Sequence, residues 1–562
     1  MMGYLVNPRL GMNTIDSRNT NLLFASILTE TLKRLGLATA IICPGSRSTP
    51  LAIAFARQEG IEAISILDER SAAFFALGVA RKSKLPVVLV CTSGTAGANF
   101  YPAVIEAKES RVPLLVLTCD RPPELRDCHS GQTIDQLKLF GTYPNWQTEL
   151  ALPVADLGML AYLRQTIIHA WERALYPVAG VVHLNIPFRD PLVPLPDGKE
   201  DNLQIPDDFF AGISDRTVGN INNYAYKFPW QWNGDRGIII AGVAQPENPR
   251  EYVSAIGQLS KLLKFPVLAE GLSPVRNYAD LNPYLISTYD LILRNRRLAQ
   301  NLQPEIVIQI GELPTSKELR TWLQSTKIQR WIIDSSNHNL DPLHGKTTHI
   351  RSSVEQLVTS YSPQPKEFND YLNLWCDLET QTRANIDRVM LEIKPIIECK
   401  AAWLLSNILP QNTPIFISNI MPVMDVEFFW QPSNSNVQPF FNRGANGIDG
   451  TLSTALGIAH RQQSSIFLTG DLALLHDTNG FLINNKFVGH LTIILINNNG
   501  GGIFEMLPIS KFEPPFEEFF ATPQNINFAR LCATYNVEHE LASVFAERPS
   551  ARATPYPPSS AQ

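Results

Sequence analysis

Cysteine is scarce in this chain of 562 residues, and its seven cysteines are dispersed along the sequence. Their number is odd, and no two of them form a CxxC pair. A disulfide framework or a structural zinc site needs paired and closely spaced cysteines. The sequence therefore predicts a protein that folds without either of them, in a reducing compartment.

Long apolar runs and an excess of positive charge are missing as well. No stretch reaches the roughly 18 apolar residues of a membrane span, and the first residues lack the apolar core of a signal peptide. The net charge is −6, which disfavours binding to a nucleic-acid backbone. We therefore expect a cytoplasmic protein with no membrane span and no nucleic-acid partner.

The sequence does contain short apolar runs that alternate with helix-length amphipathic stretches, a pattern typical of parallel α/β layers. Three blocks with this pattern predict α/β domains at residues 1–190, 235–362 and 395–545, followed by an unstructured tail at 546–562. The predicted strands are 40–43, 63–67, 86–91, 114–118, 237–241, 305–310, 331–334, 414–418, 466–469 and 491–496.

Two polar segments follow consecutive predicted strands of the third block. Gly470-Asp471 ends one of these strands, and Asn497–Gly502 follows the next. Parallel strands end at one edge of a sheet, where open α/β sheets bind ligands. The carboxylate of Asp471, the amide oxygen of Asn498 and the carbonyl of Gly500 are oxygen donors suited to Mg²⁺. Each segment alone is equally a turn or a plain loop, but together they resemble the GD…NN signature of thiamine diphosphate enzymes.

Enzymes of this kind also need a carboxyl group, on another domain, beside the aminopyrimidine ring of the cofactor. Asp68-Glu69-Arg70 follows the predicted strand 63–67 in the first block. The resemblance implies that Glu69 hydrogen-bonds ring nitrogen N1′ and activates the cofactor. An acidic turn at this place is also an ordinary helix start, because a helix N-terminus favours negative charge.

Longer strings narrow the resemblance to one family. They are PGSRSTP at 44–50, DER at 68–70, TSGT at 92–95, DRPPEL at 120–125, NRGANGIDG at 442–450 and NNNGG at 497–501. With these strings in family order, the chain resembles the MenD family, the 2-succinyl-5-enolpyruvyl-6-hydroxy-3-cyclohexene-1-carboxylate (SEPHCHC) synthases. The resemblance implies three doubly wound parallel-sheet domains, the first binding the pyrimidine and the third binding the diphosphate and the metal.

The implied reaction uses thiamine diphosphate and Mg²⁺, with Mn²⁺ as an alternative metal. It decarboxylates 2-oxoglutarate and adds the succinyl unit to isochorismate by 1,4-addition, in menaquinone and phylloquinone biosynthesis. Both substrates are dicarboxylates, which arginine side chains bind well. By similarity the substrate-binding residues are Ser46, Arg47, Arg121, Gln132, Lys317, Arg443, Phe504 and Leu507.

The resemblance assigns a second group of residues to the cofactor. This group consists of Glu69, Ile448, Asp471, Asn498 and Gly500, of which the last three also bind the metal. Taken singly, an arginine or lysine of the substrate group can also be a surface cation, and an apolar residue of either group can also be part of a core. Glu69 and Asp471 serve opposite ends of one cofactor, which in this family lies across a homodimer or a dimer of dimers.

Two positions depart from the family pattern. The family segment usually reads NSMPxRD, whereas Ile420 replaces the serine and Met424 replaces the arginine here. The tail also differs from the closing strand and helix of family members. These departures leave two alternatives open: another 2-oxoacid decarboxylase or ligase of the acetolactate synthase kind, and a catalytically impaired homologue.

Overall fold

Three parallel sheets organise the chain, and the predicted α/β class is confirmed. The computed structural model describes residues 15–197, 203–213, 232, 234–361, 367, 369–395, 397–512 and 515–542. Buried apolar residues form separate clusters on the two faces of each sheet, because successive side chains of a strand point to opposite faces. The predicted tail at 546–562 lies outside the described residues.

The first sheet has six parallel strands in the order β2-β1-β3-β4-β6-β5. Its strands are β1 (Thr39–Ile42), β2 (Glu62–Ser65), β3 (Val87–Cys91), β4 (Leu114–Asp120), β5 (Trp146–Glu149) and β6 (Val181–Pro187). Its helices are α1 (Thr20–Arg34), α2 (Thr49–Arg57), α3 (Glu69–Ser83), α4 (Thr95–Asn99), α5 (Tyr101–Glu109) and α6 (Leu157–Leu175), with a 3₁₀ turn at Pro123–Leu125.

The second sheet also has six parallel strands, in the order β12-β11-β10-β7-β8-β9. These are β7 (Gly237–Ala241), β8 (Val267–Ala269), β9 (Leu285–Ile286), β10 (Ile306–Ile310), β11 (Arg330–Ile333) and β12 (Thr347–Ile350). The helices of this region are α7 (Pro249–Leu263), α8 (Tyr289–Arg294), α9 (Arg296–Asn301), α10 (Lys317–Thr326), α11 (Val354–Ser360) and α12 (Asp370–Glu392), with 3₁₀ turns at Pro274–Asn277 and Ala279–Leu281.

The third sheet has four strands within the described residues, in the order β14-β13-β15-β16. They are β13 (Pro414–Ile417), β14 (Gln438–Phe440), β15 (Ser465–Gly470) and β16 (Leu491–Ile496). Its helices are α13 (Glu398–Ile408), α14 (Met421–Phe429), α15 (Thr451–Ala459), α16 (Asp471–His476) and α17 (Phe528–Thr534). Shorter segments are 3₁₀ turns at Thr478–Asn485, Gly502–Met506 and Pro508–Lys511 and a π-helical segment at Glu517–Ala521.

Each predicted strand coincides with an observed one to within two residues, because long buried parallel strands are almost continuously apolar. Shorter or more polar strands were not predicted, among them β5, whose four residues are all half-buried. Helix α3 begins at Glu69, because the Asp68 side chain accepts a hydrogen bond from the Ser71 N–H and caps the helix.

The first and third domains share one hydrophobic core. Apolar residues of α3 and α5 form a single cluster with residues of α15, β13 and β15. Helices α3 and α15 cross closely because glycines face each other at the crossing. A Cβ atom on Gly457 would lie 2.1 Å from the carbonyl oxygen of Phe75, and one on Gly78 would lie 2.2 Å from that of Thr454. Backbone therefore contacts backbone at this interface.

None of the helices within the described residues is both long and apolar enough to cross a bilayer.

Gly457→Ala tests the importance of the helix crossing. The added methyl group meets backbone that cannot rotate away, so we expect the free energy of unfolding to fall by about 1–3 kcal/mol or more. Chemical denaturation of both proteins measures the change. The control is Gly345→Ala, whose added Cβ atom would have its nearest neighbour 3.7 Å away; a similar loss in both variants would contradict the crossing argument.

Candidate functional site

Asp471 is the first residue of α16, immediately after β15. Its side chain is 3% exposed, and burial raises the pKa of its carboxyl group, while the backbone N–H groups of Leu472 and Gly500 favour the ionised form. A carboxylate buried with few neutralising partners is well prepared to bind a cation.

Asn498 and Gly500 reach the same place from the neighbouring strand. Gly470 of β15 pairs with Ile496 of β16, so both strands end side by side. The Nδ2 atom of Asn498 donates to Oε1 of Glu398 at 3.0 Å, and this bond does not use the Asn498 side-chain oxygen, which can accept a hydrogen bond or bind a cation. The φ of Gly500 is 151°, and a Cβ atom there would lie 2.3 Å from the carbonyl oxygen of Ala521.

These three residues line one cleft, and their chemistry fits a hard divalent cation that is bound by oxygen. The cleft is lined by residues between 398 and 503, including Asn419, Ile420, Asp425 and the glycine loop that follows β16. Within the described residues, no cluster of three or more His, Cys, Asp or Glu side chains is arranged to hold a metal. A set of one carboxylate, one amide oxygen and one backbone carbonyl does not depend on such a cluster.

The two family departures lie on the wall of this cleft or next to it. Ile420 has φ 75° and ψ −128°, a left-handed conformation that strains a β-branched residue. Met424 lies one turn further, half-buried on α14, with its N–H directed to the Ile420 carbonyl oxygen at 3.4 Å. The neighbouring Asp425 is 6% exposed and has no hydrogen-bond partner among the described residues. Burial, with Glu398 nearby, raises the pKa of Asp425 to about 7.

A group of cations lies at the carboxyl ends of the first sheet. The Nη1 atom of Arg121 donates to Oγ of Ser93 at 2.5 Å and to the carbonyl oxygen of Gln132 at 2.7 Å. Gln132 returns a bond from Nε2 to the Ser93 carbonyl oxygen at 3.0 Å. Burial and the nearby charge of Arg47 lower the pKa of Arg121. The structure thus brings Arg47, Arg121 and Gln132 together.

Arg47 is buried, and its guanidinium is partly satisfied. Its Nη1 atom donates to the Phe188 carbonyl oxygen at 2.9 Å and lies 3.7 Å from Asp190. Its Nε atom is buried without a hydrogen-bond partner among the described residues. Two adjacent guanidinium groups, one with an unused N–H, form a region that favours a carboxylate. Ser46 is exposed in the preceding turn.

Glu69 begins α3 and is half-exposed. Its carboxylate has no hydrogen-bond or ion-pair partner among the described residues. It lies near the buried thiols of Cys43 and Cys91, whose pKa values are raised by burial and further by its charge. The carboxylate therefore remains available for a ligand.

Arg443 follows β14 and connects two domains. Its Nη1 atom donates to Oδ1 of Asn419 and its Nη2 atom donates to Oγ1 of Thr315, both at 3.1 Å. The carboxylate of Glu106, on α5, accepts the N–H groups of Gly444 at 3.0 Å and Ala445 at 2.7 Å. Burial lowers the pKa of the Arg443 guanidinium, an effect opposed by nearby carboxylates.

The remaining predicted residues lie around these groups. Lys317 is exposed at the start of α10, two residues after Thr315. Ile448 is half-buried in the loop before α15. Phe504 packs against Phe520 with ring centroids 5.7 Å apart, and Leu507 is 46% exposed.

Within one chain, the structure does not bring all the predicted site residues into a single site. Glu69 is absent from the residues that line the Asp471 cleft, all of which lie between 398 and 503. The Arg47–Arg121 group likewise belongs to the first sheet alone. The Glu69 carboxylate, the Asp471 cleft and the Arg47–Arg121 group are thus three distinct groups in the structure of one chain.

The sequence analysis did not predict several residues that contact the candidate site residues. Thr315, Glu106, Glu398 and Ser93 contact predicted site residues directly. Ser93 belongs to the TSGT string, and Thr315 precedes Lys317 by two residues. Their closeness in sequence to predicted site residues could therefore have identified them. Glu106 and Glu398 lie on helices far away in sequence, and no local pattern pointed to them.

Comparisons with known proteins agree with this geometry. Residues 23–139 match the family model described as "Thiamine pyrophosphate enzyme, N-terminal TPP binding domain", and residues 221–417 match "Middle domain of thiamine pyrophosphate".

Curated relatives extend the likeness over almost the whole chain. A protein of Trichormus variabilis is 68% identical over 94% of this chain and 91% of its own length. One of Gloeothece citriformis is 66% identical over 94% and 92%, and one of Acaryochloris marina is 59% identical over 95% and 93%. Each is named 2-succinyl-5-enolpyruvyl-6-hydroxy-3-cyclohexene-1-carboxylate synthase.

Asp425→Asn tests the electrostatics of the cleft. The pKa of Asp425 is about 7 in the folded protein and about 3.9 in the unfolded chain. Ionisation therefore costs stability progressively as pH rises from about 4 to 7. In metal-free protein we expect the asparagine variant to be more stable by about 2–4 kcal/mol at pH 8 and by about 1 kcal/mol at pH 4.5.

Urea unfolding across this pH range measures the difference. Asp207→Asn is the control, since Asp207 is exposed and folding does not bury its side chain. A stability gain in Asp425→Asn that is equal at both pH values would contradict the assigned burial effect.

Proposed function

Because the chain belongs to the SEPHCHC synthase family of thiamine diphosphate enzymes, we propose that it decarboxylates 2-oxoglutarate and adds the succinyl unit to isochorismate. The product is 2-succinyl-5-enolpyruvyl-6-hydroxy-3-cyclohexene-1-carboxylate, a precursor of menaquinone or phylloquinone. The observation that carries this proposal is the high identity to synthases of that name over 94% of the chain. The oxygen-lined cleft and the arginine groups give it a chemical basis.

The cleft beside Asp471 holds Mg²⁺ and the diphosphate end of the cofactor in this proposal, with Mn²⁺ as an alternative metal. Asp471, Asn498 and Gly500 supply the protein ligands, and Ile448 supports the cofactor. The residues fit because the Asn498 amide already directs its nitrogen to Glu398, so its oxygen is free to bind the metal. When bound, thiamine diphosphate supplies the carbon nucleophile for decarboxylation and transfer of the succinyl unit.

The substrates bind through their carboxylates. Arg47 and Arg121, with Ser46 and Gln132, form one carboxylate site, in which the buried Nε–H of Arg47 has no partner among the described residues. Arg443 and Lys317 form another cationic group, at the junction of the second and third domains. Phe504 and Leu507 supply apolar contacts. Two dianionic substrates require several cations, because a carboxylate left unpaired in a closed site costs about 2–5 kcal/mol.

We propose further that the complete active site forms between two copies of the chain. Glu69 carries a free carboxylate and does not line the cleft of Asp471. A second copy that brings its first domain (1–190) against the third domain (395–545) would unite them. The central domain (235–362) then contributes Lys317. The assembly is a homodimer or a dimer of dimers, and we place it in the cytoplasm.

One alternative has support in this sequence. Met424 and Ile420 stand where the family has an arginine and a serine, so a catalytically impaired homologue stays a second candidate. An acetolactate synthase-like enzyme is disfavoured by the number of site arginines. An assay of 2-oxoglutarate decarboxylation with thiamine diphosphate and Mg²⁺, first without and then with isochorismate, separates the three. Formation of the adduct supports the proposal, and its absence with a folded dimer contradicts it.

Asp471→Ala and Glu69→Gln separate cofactor binding from activation. Asp471→Ala removes the charged metal ligand, so we expect Mg²⁺-dependent thiamine diphosphate binding to weaken by roughly a hundredfold or more. Glu69→Gln keeps the size but replaces the proton-exchanging carboxyl group with an amide, so binding should stay within about threefold while decarboxylation is lost. Calorimetric titration with the cofactor measures binding. Unchanged affinity in Asp471→Ala would refute the metal assignment, and full activity in Glu69→Gln would refute the activating role.

Met424→Arg tests the missing cation. A thioether carries no charge and cannot pair with a carboxylate. We expect the arginine to raise kcat/KM for 2-oxoglutarate or isochorismate about tenfold, which corresponds to about 1.4 kcal/mol. Ile420→Ser in the same background should add to this gain. Met424→Leu is the control, and an arginine variant that behaves like it would show that the position is ordinary core.

A further inference from the structure

The hydroxyl group of half-buried Thr315 lies between Arg443 and a carboxyl group of the second domain. The Nη2 atom of Arg443 is 3.1 Å from Oγ1 of Thr315, and Oγ1 is 2.8 Å from Oε1 of Glu270. Thr315 follows β10 and Glu270 follows β8. Both residues therefore stand at the carboxyl ends of parallel strands, where Arg443 approaches from the end of β14.

The direction of these hydrogen bonds is fixed by the groups involved. A guanidinium has five N–H donors and no acceptor, so Thr315 must accept from Arg443. The single hydroxyl hydrogen of Thr315 is then given to Glu270, whose oxygen accepts it. The hydroxyl group thus links the Arg443 guanidinium to the Glu270 carboxyl group, although these two groups make no direct hydrogen bond with each other.

Glu270 has an unusual environment for a carboxyl group. It is 0% exposed, and its Oε2 atom has no hydrogen-bond partner among the described residues. Burial raises its pKa, while Thr315, Arg443 and Arg276 favour the charged form. Burial of such a group costs free energy, which the hydroxyl bridge and the nearby cations partly offset.

We propose that Thr315 and Glu270 are positioning residues that orient the Arg443 guanidinium for its substrate carboxylate. This inference rests on the proposed function, in which Arg443 binds a dicarboxylate substrate. Thr315 and Asn419 each engage one N–H of the guanidinium. Three N–H groups remain for a bidentate carboxylate, and the two fixed bonds determine which way they point.

Removal of the hydroxyl tests the bridge. Thr315→Val preserves the size of the side chain, and we expect KM for one of the two dicarboxylates to rise about tenfold with little change in thiamine diphosphate affinity. Thr315→Ser keeps the hydroxyl and should restore KM to within about threefold of the parent value. Thr315→Ala, which removes the hydroxyl without adding volume elsewhere, repeats the test if the valine variant does not fold.

The matched control is Thr326→Val, at the other end of α10, where the hydroxyl bonds only to the Leu323 carbonyl within its own helix. A structural effect alone would lower the melting temperature of both valine variants and leave KM unchanged. If Thr315→Val resembles Thr326→Val in KM, the inference is wrong.

A double-mutant cycle shows whether the effect passes through Arg443. In an Arg443→Gln background, Thr315→Val should have no further effect on KM, because the group that it orients is gone. Equal effects in both backgrounds would overturn the inference. If Arg443→Gln leaves KM for both substrates unchanged, the substrate role of Arg443 in the proposed function is wrong, and the inference falls with it. If Arg443→Gln raises KM and Thr315→Val does not, the inference alone is wrong.

Discussion

The buried guanidinium of Arg81 ties the three domains together. It is 2% exposed, and it donates from Nη1 to Gln245 at 2.7 Å and from Nη2 to Glu106 at 3.2 Å and Asn442 at 3.3 Å. These partners belong to the central, first and third domains in turn. Loss of one partner of a buried ion pair costs about 3–5 kcal/mol. Glu106 also accepts hydrogen bonds from the backbone beside Arg443. The junction that holds the domains together therefore also fixes the position of Arg443, a candidate substrate-binding residue.

The candidate site follows from where parallel strands end. Among the described residues, a candidate residue follows each strand of the third sheet: Asn419 after β13, Arg443 after β14, Asp471 at the start of α16 after β15, and Asn498 after β16. The central domain adds Thr315 in the same manner. Carboxylate and amide oxygens collect around Asp471, whereas guanidinium groups collect near Ser93 and Thr315. This separation of charge suits a metal-bound diphosphate at one place and anionic substrates at others.

The sequence predicted the fold class, the long strands and the meeting of two polar segments in one cleft, because one short segment carries each of these signals. Asp471 and Asn498 follow long apolar strands, so their meeting at one sheet edge required no knowledge of distant contacts. The role of Glu106 depends on the packing of α5 against a loop more than 300 residues later, and no local pattern encodes it. The positive φ of Ile420 was equally hidden, because a β-branched residue does not predict a left-handed turn. The functional roles of all these residues stay predictions.

The glycine contact between α3 and α15 has a consequence for motion. Glu69 begins one of these helices, and the loop with Ile448 precedes the other. Since both helices lie in one continuous hydrophobic core, the two domains cannot rotate against each other without exposing that core to water, at about 25 cal/mol for each Å² of apolar surface. They therefore move as one rigid body. Entry and release of substrates must then rely on smaller movements, such as those of the exposed residues 505–508, which follow the glycine loop.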